Sequence, residues 1–244
     1  MKRLLLISVI IFSVQTLVAQ ESFKSSNGYF TANELPDMRK WMPGPPAEDS
    51  AEFALDQARY EWGKAQREDA LRLAQAKKQA IATVENFCDE FSEPFGMTIS
   101  KQTTPEIYTL ILDAVSTCAQ ITVLSKEHHM RRRPYVYYGE GTPLPQFEEK
   151  MGKNGSFPSG HTARGWAAAL ILTEVNPAAA DALLKMGYMQ GDSRIIVGYH
   201  WQSDVTASRI AASAAVAYLH TSDRFLKQMK RAKKEFAKLN KRRK

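Results

Sequence analysis

Three clusters of polar residues interrupt long apolar and helical stretches in this sequence of 244 residues. They comprise Lys126 with Arg133, the run from Ser159 to Thr162, and the group Arg194, His200 and Asp204. Arginine and lysine bind oxyanions, and histidine can transfer a proton or attack as a nucleophile near neutral pH. The clusters therefore indicate a site for a charged, oxygen-rich group, if the fold brings them together.

The second cluster is typical of the beginning of a helix. Pro158 ends the preceding loop, and Ser159 and Gly160 suit the first positions of a helix, whose N–H groups have no intrahelical partner. Such a terminus binds anions, and a bound anion would raise the pKa of His161 in the first turn and favour its acidic form. The alternative at this point is an ordinary helix cap that carries a surface histidine.

The third cluster contains a histidine and a carboxylate four residues apart. On a helix, His200 and Asp204 would lie on one face within hydrogen-bonding range. A carboxylate that accepts from one ring N–H fixes the tautomer and leaves the other nitrogen as a base or nucleophile. Arg194, six residues upstream, could direct its guanidinium to the same point. The alternative for an isolated His and Asp at this spacing is a surface pair, which is common.

Together the clusters form one signature: K-x6-R-P, then P-S-G-H, then S-R-x5-H-x3-D. The chain thereby resembles the bacterial class A non-specific acid phosphatases, within the superfamily of type 2 phosphatidic acid phosphatases and vanadium haloperoxidases. The eleven fixed residues are Lys126, Arg133, Pro134, Pro158, Ser159, Gly160, His161, Ser193, Arg194, His200 and Asp204. The signature covers residues 126–204, and chain length, helical texture and the surrounding G-S-F-P-S-G-H-T sequence extend the resemblance further.

The resemblance implies a role for each motif residue. His200 is the nucleophile that becomes a phosphohistidine, Asp204 orients its imidazole, and His161 is the general acid for the leaving group. The residues expected to hold the phosphate oxygens are Lys126, Arg133, Ser159, Gly160 and Arg194. Such chemistry consists mainly of positioning and charge stabilisation, which cations and a helix N-terminus can supply.

The implied activity is metal-independent, vanadate-sensitive hydrolysis of phosphate monoesters at acid pH, without a cofactor and with possible transfer to alcohols. The family also implies a homodimer. Lipid-phosphate or pyrophosphate hydrolysis within the same superfamily is the alternative. Haloperoxidases of the superfamily are typically far longer chains. Its lipid phosphatases carry the motif between membrane-spanning helices, and no internal apolar run here reaches the ~20 residues of such a helix.

The elements that must position these residues are helical, because no stretch alternates apolar and polar residues over a sustained length. We therefore predict an all-α fold, a compact helical bundle with little or no strand. The expected helices are 51–91, 105–126, 159–175, 178–189, 193–219 and 223–239. Residues 131–157 hold several Pro and Gly residues and are predicted to form a long irregular segment of the kind usually kept for function.

The net charge of +7 divides unequally along the chain. Residues 224–244 carry eleven Lys or Arg and one Glu, whereas the rest of the chain is mildly acidic, so the charge does not favour a nucleic-acid partner. Residues 1–19 combine Lys2 and Arg3 with an apolar run that ends at Ala19, the pattern of a removable signal peptide. The chain is thus predicted to be periplasmic or secreted, with an arm at 20–48, a catalytic domain at 49–222 and a basic helix and tail at 223–244.

Two further predictions follow from export and from the basic end. In an oxidising compartment Cys88 and Cys118 would form a disulfide, the alternative being two buried thiols. Apolar residues recur every three or four positions between Phe225 and Leu239, which predicts an amphipathic helix. It would dock on the body with a solvated basic face, or contact anionic surfaces, in which case the chain could act as a surface-binding protein.

Overall fold

The computed structural model describes residues 28–242, and these residues form eleven α-helices and a few short 3-10 turns. The helices are α1 Ala51–Ala65, α2 Ala70–Gln79, α3 Val84–Phe95, α4 Pro105–Gln120, α5 Val123–His129, α6 Pro134–Tyr138, α7 Glu148–Gly152, α8 Gly160–Val175, α9 Ala180–Ile196, α10 Gln202–Leu219 and α11 Asp223–Lys241. No strand occurs in this part of the chain, which confirms the all-α prediction. The predicted signal peptide at 1–19 and the first residues of the arm lie outside the described residues.

The segment predicted as one helix over 51–91 is three helices. The chain breaks after α1 because Asp69 caps α2, its carboxylate accepting from the N–H groups of Leu71 and Arg72. Thr83 caps α3 in the same way, and Gly96 ends α3 in the left-handed conformation with φ 79°. The amino-acid composition does not reveal these boundaries, since the residues on either side of them favour helix.

Helix α8 lies at the centre of the bundle and packs most extensively against α9, α10 and α4. Small residues allow the close approach of α8 and α9. A Cβ atom added at Gly187 would lie 2.6 Å from the Ala169 Cβ and 3.0 Å from the Gly165 carbonyl oxygen. Glycine is therefore required here, and the buried position of α8 fixes its N-terminus inside the protein.

The helical run over 105–138, which comprises α4 to α6, is long and apolar enough to cross a membrane by length and composition. However, 67% of its most apolar window is buried within the protein. The buried residues include Ile107, Leu110 and Ala114, which belong to the main hydrophobic core. The run therefore has the burial pattern of a core helix.

The predicted disulfide is not formed, since Cys88 and Cys118 are both free and buried. Each belongs to the main apolar core, where a thiol packs as a small hydrophobic group. Burial raises the pKa of Cys88 to about 12 and also raises that of Cys118. The predicted export and the even number of cysteines carry no information about where in the core the two residues lie.

The basic helix α11 docks on the body through its apolar stripe. Phe225, Met229 and Ala232 are buried, and the Phe236 ring lies 5.1 Å from that of Phe95. The Glu235 carboxylate of α11 accepts from the N–H groups of Glu106 and Ile107 at the N-terminus of α4. This confirms the interpretation that α11 packs against the bundle with its basic face in solvent.

The part of the arm that the structure describes, residues 28–48, is mostly irregular and contains one 3-10 turn, Met38–Lys40. Leu35 and Met38 are buried in the main core. The Tyr29 ring lies 5.4 Å from that of Phe225, so the arm also contacts α11.

Candidate active site

The three polar clusters converge where α8 begins, α9 ends and α10 begins. The Arg133 Nη1 atom lies 3.1 Å from His200 Nε2, which joins the first cluster to the third. The Ser159 N–H donates to the Asp204 carbonyl at 3.2 Å, which joins the second to the third. Lys126 reaches the same place, since a Cβ added at Gly160 would lie 3.8 Å from its Cε.

His200 does not lie on a helix with Asp204, so the predicted helical pairing is wrong in its local geometry. Helix α10 begins at Gln202, and Trp201 occupies the N-cap in extended conformation. Asp204 reaches back from the first turn, and its Oδ2 accepts from the Trp201 N–H at 2.8 Å and lies 3.3 Å from His200 Nδ1. The carboxylate thus caps the helix and orients the imidazole at the same time.

The neighbours of His200 determine which ring nitrogen carries the hydrogen. A guanidinium only donates, so the nitrogen that faces Arg133, Nε2, holds the lone pair and Nδ1 carries the hydrogen toward Asp204. Burial lowers the pKa of His200 well below its usual range, and the charges of Arg133, Lys126 and Arg194 lower it further. The result is a neutral imidazole with an available lone pair at Nε2.

The N-terminus of α8 has the form predicted from the sequence. Ser159 is the N-cap in extended conformation, and its hydroxyl accepts from the N–H of Thr162 at 3.2 Å. The N–H groups of the first turn have no intrahelical partner, so Gly160 and His161 present them to the site. The loop before the helix is held close, since a Cβ at Gly155 would lie 2.7 Å from the Lys126 carbonyl oxygen.

His161 is buried against the Phe87 ring, and its ring is bonded to the backbone of Gln79. Its Nε2 has no hydrogen-bond partner among residues 28–242. Burial lowers the pKa of His161 well below its usual range, and Arg194 and Arg164 lower it further. The expected rise in its pKa therefore depends on an oxyanion bound among these cations, which would act in the opposite direction.

Three basic residues surround His200: Arg133 and Arg194 are buried, and Lys126 is half-buried. Lys126 donates from Nζ to the Gly155 carbonyl at 2.7 Å, and burial lowers its pKa well below the usual range. Burial lowers the pKa of Arg133 to about 10 and that of Arg194 to about 9. Within the described chain, the Nε and Nη1 atoms of Arg194 have no partner. Because unpaired buried donors are costly, this arrangement favours an oxyanion ligand.

Three charged residues near this site are not among the motif residues: Arg164, whose charge acts on His161, and the pair Arg131 and Asp56. Arg131 donates from Nη1 to the Asp204 Oδ1 at 2.7 Å and from Nη2 to the Asp56 Oδ2 at 2.7 Å. One signal existed for Arg131, because it lies two residues before Arg133 in a non-helical segment, where alternate side chains share a side. No local pattern could have indicated Asp56, which comes from the distant helix α1.

Comparison with known proteins places this chain in a family. Residues 107–227 match the PAP2 superfamily. A non-specific acid phosphatase from Providencia stuartii is 45% identical over 214 residues, which cover 87% of this chain and 86% of the relative. A non-specific acid phosphatase from Salmonella typhimurium is 33% identical over 228 residues, covering 93% of this chain and 91% of the relative.

A third relative, an acid phosphatase from Zymomonas mobilis, is 32% identical over 219 residues, covering 90% of this chain and 81% of its own. The matches extend over nearly all of the chain, well beyond the motif residues. With its helical fold and its pocket of cations around two histidines, the chain belongs to the bacterial class A acid phosphatases of the PAP2 superfamily and is an acid phosphatase.

Proposed function

We propose that this acid phosphatase hydrolyses phosphate monoesters through a phosphohistidine formed on His200 Nε2. The observation that carries the proposal is the position of the His200 ring, with Nδ1 3.3 Å from the Asp204 carboxylate and Nε2 3.1 Å from the Arg133 guanidinium. The lone pair attacks phosphorus, an N–P bond forms, and the bond to the leaving oxygen breaks. His161 gives its proton to that oxygen, and the alcohol departs.

In the second step water attacks the phosphohistidine. His161, now neutral, takes a proton from the water, the N–P bond breaks and inorganic phosphate is released. An alcohol in place of water would give a new phosphate ester, so phosphotransfer to alcohols is part of the proposal. Lys126, Arg133, Arg194 and the first N–H groups of α8 stabilise the charge on the phosphoryl oxygens in both steps.

The pocket binds the phosphoryl group through its charge and geometry, which supports broad specificity for the alcohol portion. Vanadate is expected to inhibit, because it adopts the five-coordinate geometry of phosphoryl transfer among the same cations. Pyrophosphate or a lipid phosphate could present the same group, and side-by-side assays of a soluble monoester, pyrophosphate and a dispersed lipid phosphate distinguish these alternatives.

The mechanism is tested with p-nitrophenyl phosphate in EDTA, with and without vanadate. We expect vanadate-sensitive turnover by the wild type and a loss of at least about 1,000-fold in His200→Ala. The matched control is His220→Ala, because His220 is exposed, lies outside the candidate site, and contacts the surface residue Glu174 and the ring of Phe225. Substantial activity in His200→Ala would overturn the nucleophile assignment.

Mass spectrometry of acid-sensitive, base-stable phosphate on His200 after rapid quenching tests the intermediate.

The export prediction belongs to the same proposal. Sequencing the N-terminus of protein recovered from a periplasmic or medium fraction would give Gln20 as the first residue if the signal is removed after Ala19. The homodimer implied by family resemblance is tested by light scattering of the mature chain, where the mass of a single chain would refute it.

A second function is favoured by the solvent face of α11. Its side chains opposite the buried stripe are the lysines at 227, 230, 234, 238 and 241, all exposed and none ion-paired among the contacts that the structure records. From Lys227 to Lys241 the helix rises about 21 Å, and the lysines lie three or four residues apart, so the charges form a row spaced about one turn apart. Such a row attracts an anionic membrane surface, at about 1 kcal/mol per lysine.

The membrane contact is tested by co-sedimentation with vesicles that contain or lack anionic phospholipid, at low and high salt. We expect binding only to anionic vesicles, reduced by salt and by the triple variant Lys227→Gln, Lys230→Gln, Lys234→Gln. The matched control changes the exposed residues Lys40, Lys150 and Lys185 to Gln. Equal loss in both triple variants would show that only total charge matters.

A further inference from the structure

We propose that Arg131, held in place by Asp56, is a positioning residue for His200 and acts through Asp204. The inference rests on the phosphohistidine mechanism proposed above, and extends it by a buried chain of charges outside the motif. The chain runs from the His200 imidazole to the Asp204 carboxylate, then to the Arg131 guanidinium, and ends at the Asp56 carboxylate.

The two oxygens of Asp204 have separate partners. Oδ2 faces His200 Nδ1 and the Trp201 N–H, whereas Oδ1 accepts only from Arg131 among the recorded hydrogen bonds, at 2.7 Å. Arg131 thereby prevents rotation of the carboxylate about its own axis. The imidazole bond at 3.3 Å is the longest in the group, so its alignment depends on how firmly Asp204 is held.

Asp56 fixes Arg131 and the beginning of α10 together. Its Oδ2 accepts from Arg131 Nη2, and its Oδ1 accepts from the Ser203 N–H at 2.7 Å. The Ser203 hydroxyl bonds to both Arg131 and Asp56. Since Ser203 directly precedes Asp204, one buried carboxylate on α1 sets the position of the residue that orients the nucleophile.

The burial of these charges makes the arrangement rigid. The side chains of Asp204, Asp56 and Arg131 are 0%, 2% and 9% exposed. Removing the charge of one member leaves its neighbour as an uncompensated buried charge. Each substitution therefore changes the electrostatic potential at the neighbouring groups. Arg131 also holds the loop before α8, since its carbonyl accepts from the Ser156 N–H at 2.9 Å.

The electrostatic effect gives this role a signature that simple structural support would lack. The charged and titratable groups that face His200 are Arg133, Lys126, Arg194, Asp204 and His161. The positive charge of Arg131 offsets the negative charge of Asp204, and the negative charge of Asp56 offsets that of Arg131. Loss of Arg131 exposes His200 to the full charge of Asp204 and raises the pKa of the imidazole, whereas loss of the Asp56 charge lowers it.

The test compares Arg131→Gln, Arg131→Lys and Asp56→Asn by pH profiles of kcat/KM and by thermal unfolding. The acidic limb reports protonation of His200, so we expect it to move upward by about 1 pH unit in Arg131→Gln and downward by about half a unit in Asp56→Asn. Arg131→Lys keeps the charge but cannot bridge two carboxylates. Its limb should stay near that of the wild type while kcat falls about tenfold.

The matched control is Arg132→Gln, since Arg132 is adjacent in sequence but its side chain is 58% exposed and pairs with Glu48 at the surface. Its profile should equal that of the wild type. Limbs that stay in place, or move in the same direction in Arg131→Gln and Asp56→Asn, would overturn the positioning role. If Arg131→Gln does not fold, two results must still appear: a shift of the acidic limb to lower pH in Asp56→Asn and a reduced kcat in Arg131→Lys. The absence of either result overturns the positioning role.

The outcome is separable from that of the proposed function. Activity retained in His200→Ala refutes the phosphohistidine itself. Loss of activity in His200→Ala, combined with unshifted profiles in the Arg131 and Asp56 variants, refutes only the positioning role.

Discussion

His161 and His200 lie in one buried, cation-rich pocket, yet the proposed reaction requires them in opposite protonation states. Burial and Arg194 lower the pKa of both imidazoles. This environment suits His200, which the proposed reaction uses as a neutral nucleophile. For His161 it means that the acid form depends on the negative charge of a bound phosphoryl group, which reverses the effect of the surrounding cations.

The pH dependence of catalysis should reveal this difference. We expect the basic limb of kcat/KM, which reports the free enzyme, to lie at lower pH than the basic limb of kcat, which reports the enzyme–substrate complex. The reason is that bound substrate raises the pKa of His161. The measurement is a pair of pH profiles with two aryl phosphates whose own ionisations differ, and coincident limbs for kcat and kcat/KM would contradict the argument.

Cys88 and Cys118 give a second prediction at this scale. Because both thiols are buried and their pKa values are raised, neither should react with a water-soluble disulfide reagent in the folded protein near pH 8. After denaturation without reductant, both cysteines should be titrated. A denatured chain that shows no free thiol would establish the disulfide instead.

At the scale of elements, the site depends on how closely α8 approaches α9. His161 lies at the N-terminal end of α8 and Arg194 near the C-terminal end of α9. The spacing of the two helices therefore affects the distance between His161 and Arg194. Gly165 and Gly187 permit that spacing, because each lacks a Cβ that would meet the other helix within 3 Å. The sequence contained the small residues, but not their register across the interface.

Gly187→Ala tests this interface. In an exposed helix, Gly to Ala would stabilise by about 1 kcal/mol through helix propensity alone. Here the added Cβ would meet Ala169 at 2.6 Å, so we expect destabilisation by about 1–3 kcal/mol and a lower kcat. Denaturant unfolding measures the first effect, Lys185→Ala on the exposed face of α9 is the control, and a stabilised variant would show that the helices can separate freely.

At the scale of the whole molecule, charge is segregated. The basic residues of α11 face solvent opposite its apolar stripe, whereas around His200 Arg133 and Arg194 are buried and Lys126 is half-buried. The surface charges affect solubility and association, and the buried ones affect the relation between stability and pH. The net charge of +7 reports mainly on the first group.

The two buried histidines predict that stability depends on pH. Their pKa values are lower in the folded chain than in the unfolded chain, where histidine titrates near 6.5. The unfolded state therefore binds more protons below about pH 6.5, and the free energy of unfolding should fall as pH decreases from there, by up to about 1.4 kcal/mol per pH unit for each histidine.

Urea unfolding at several pH values would measure this dependence. His161→Gln should flatten it, and His220→Gln, at an exposed position, should not. Equal slopes in the wild type and His161→Gln would show that other groups control acid stability. Inorganic phosphate should oppose the loss, because it binds the folded chain among the same cations.

The sequence by itself determined the helical class, the motif residues and the amphipathic tail, because these follow from local periodicity and fixed spacing. It could not determine where helices end within uniformly helical composition, as the three helices of residues 51–91 illustrate. It also placed His200 on a helix, whereas Asp204 reaches it from the first turn of α10.

Only the tertiary structure decided which distant groups meet at the site. Asp56 and Arg131 are 75 residues apart and carry no common pattern, yet they form a buried ion pair beside Asp204. Cys88 and Cys118 are separately packed in the core for the same reason, since long-range contacts are selected by packing of whole helices. Local sequence specifies which side chains lie on each helix. The packing of α8 against α4, α9 and α10 specifies which other side chains they meet.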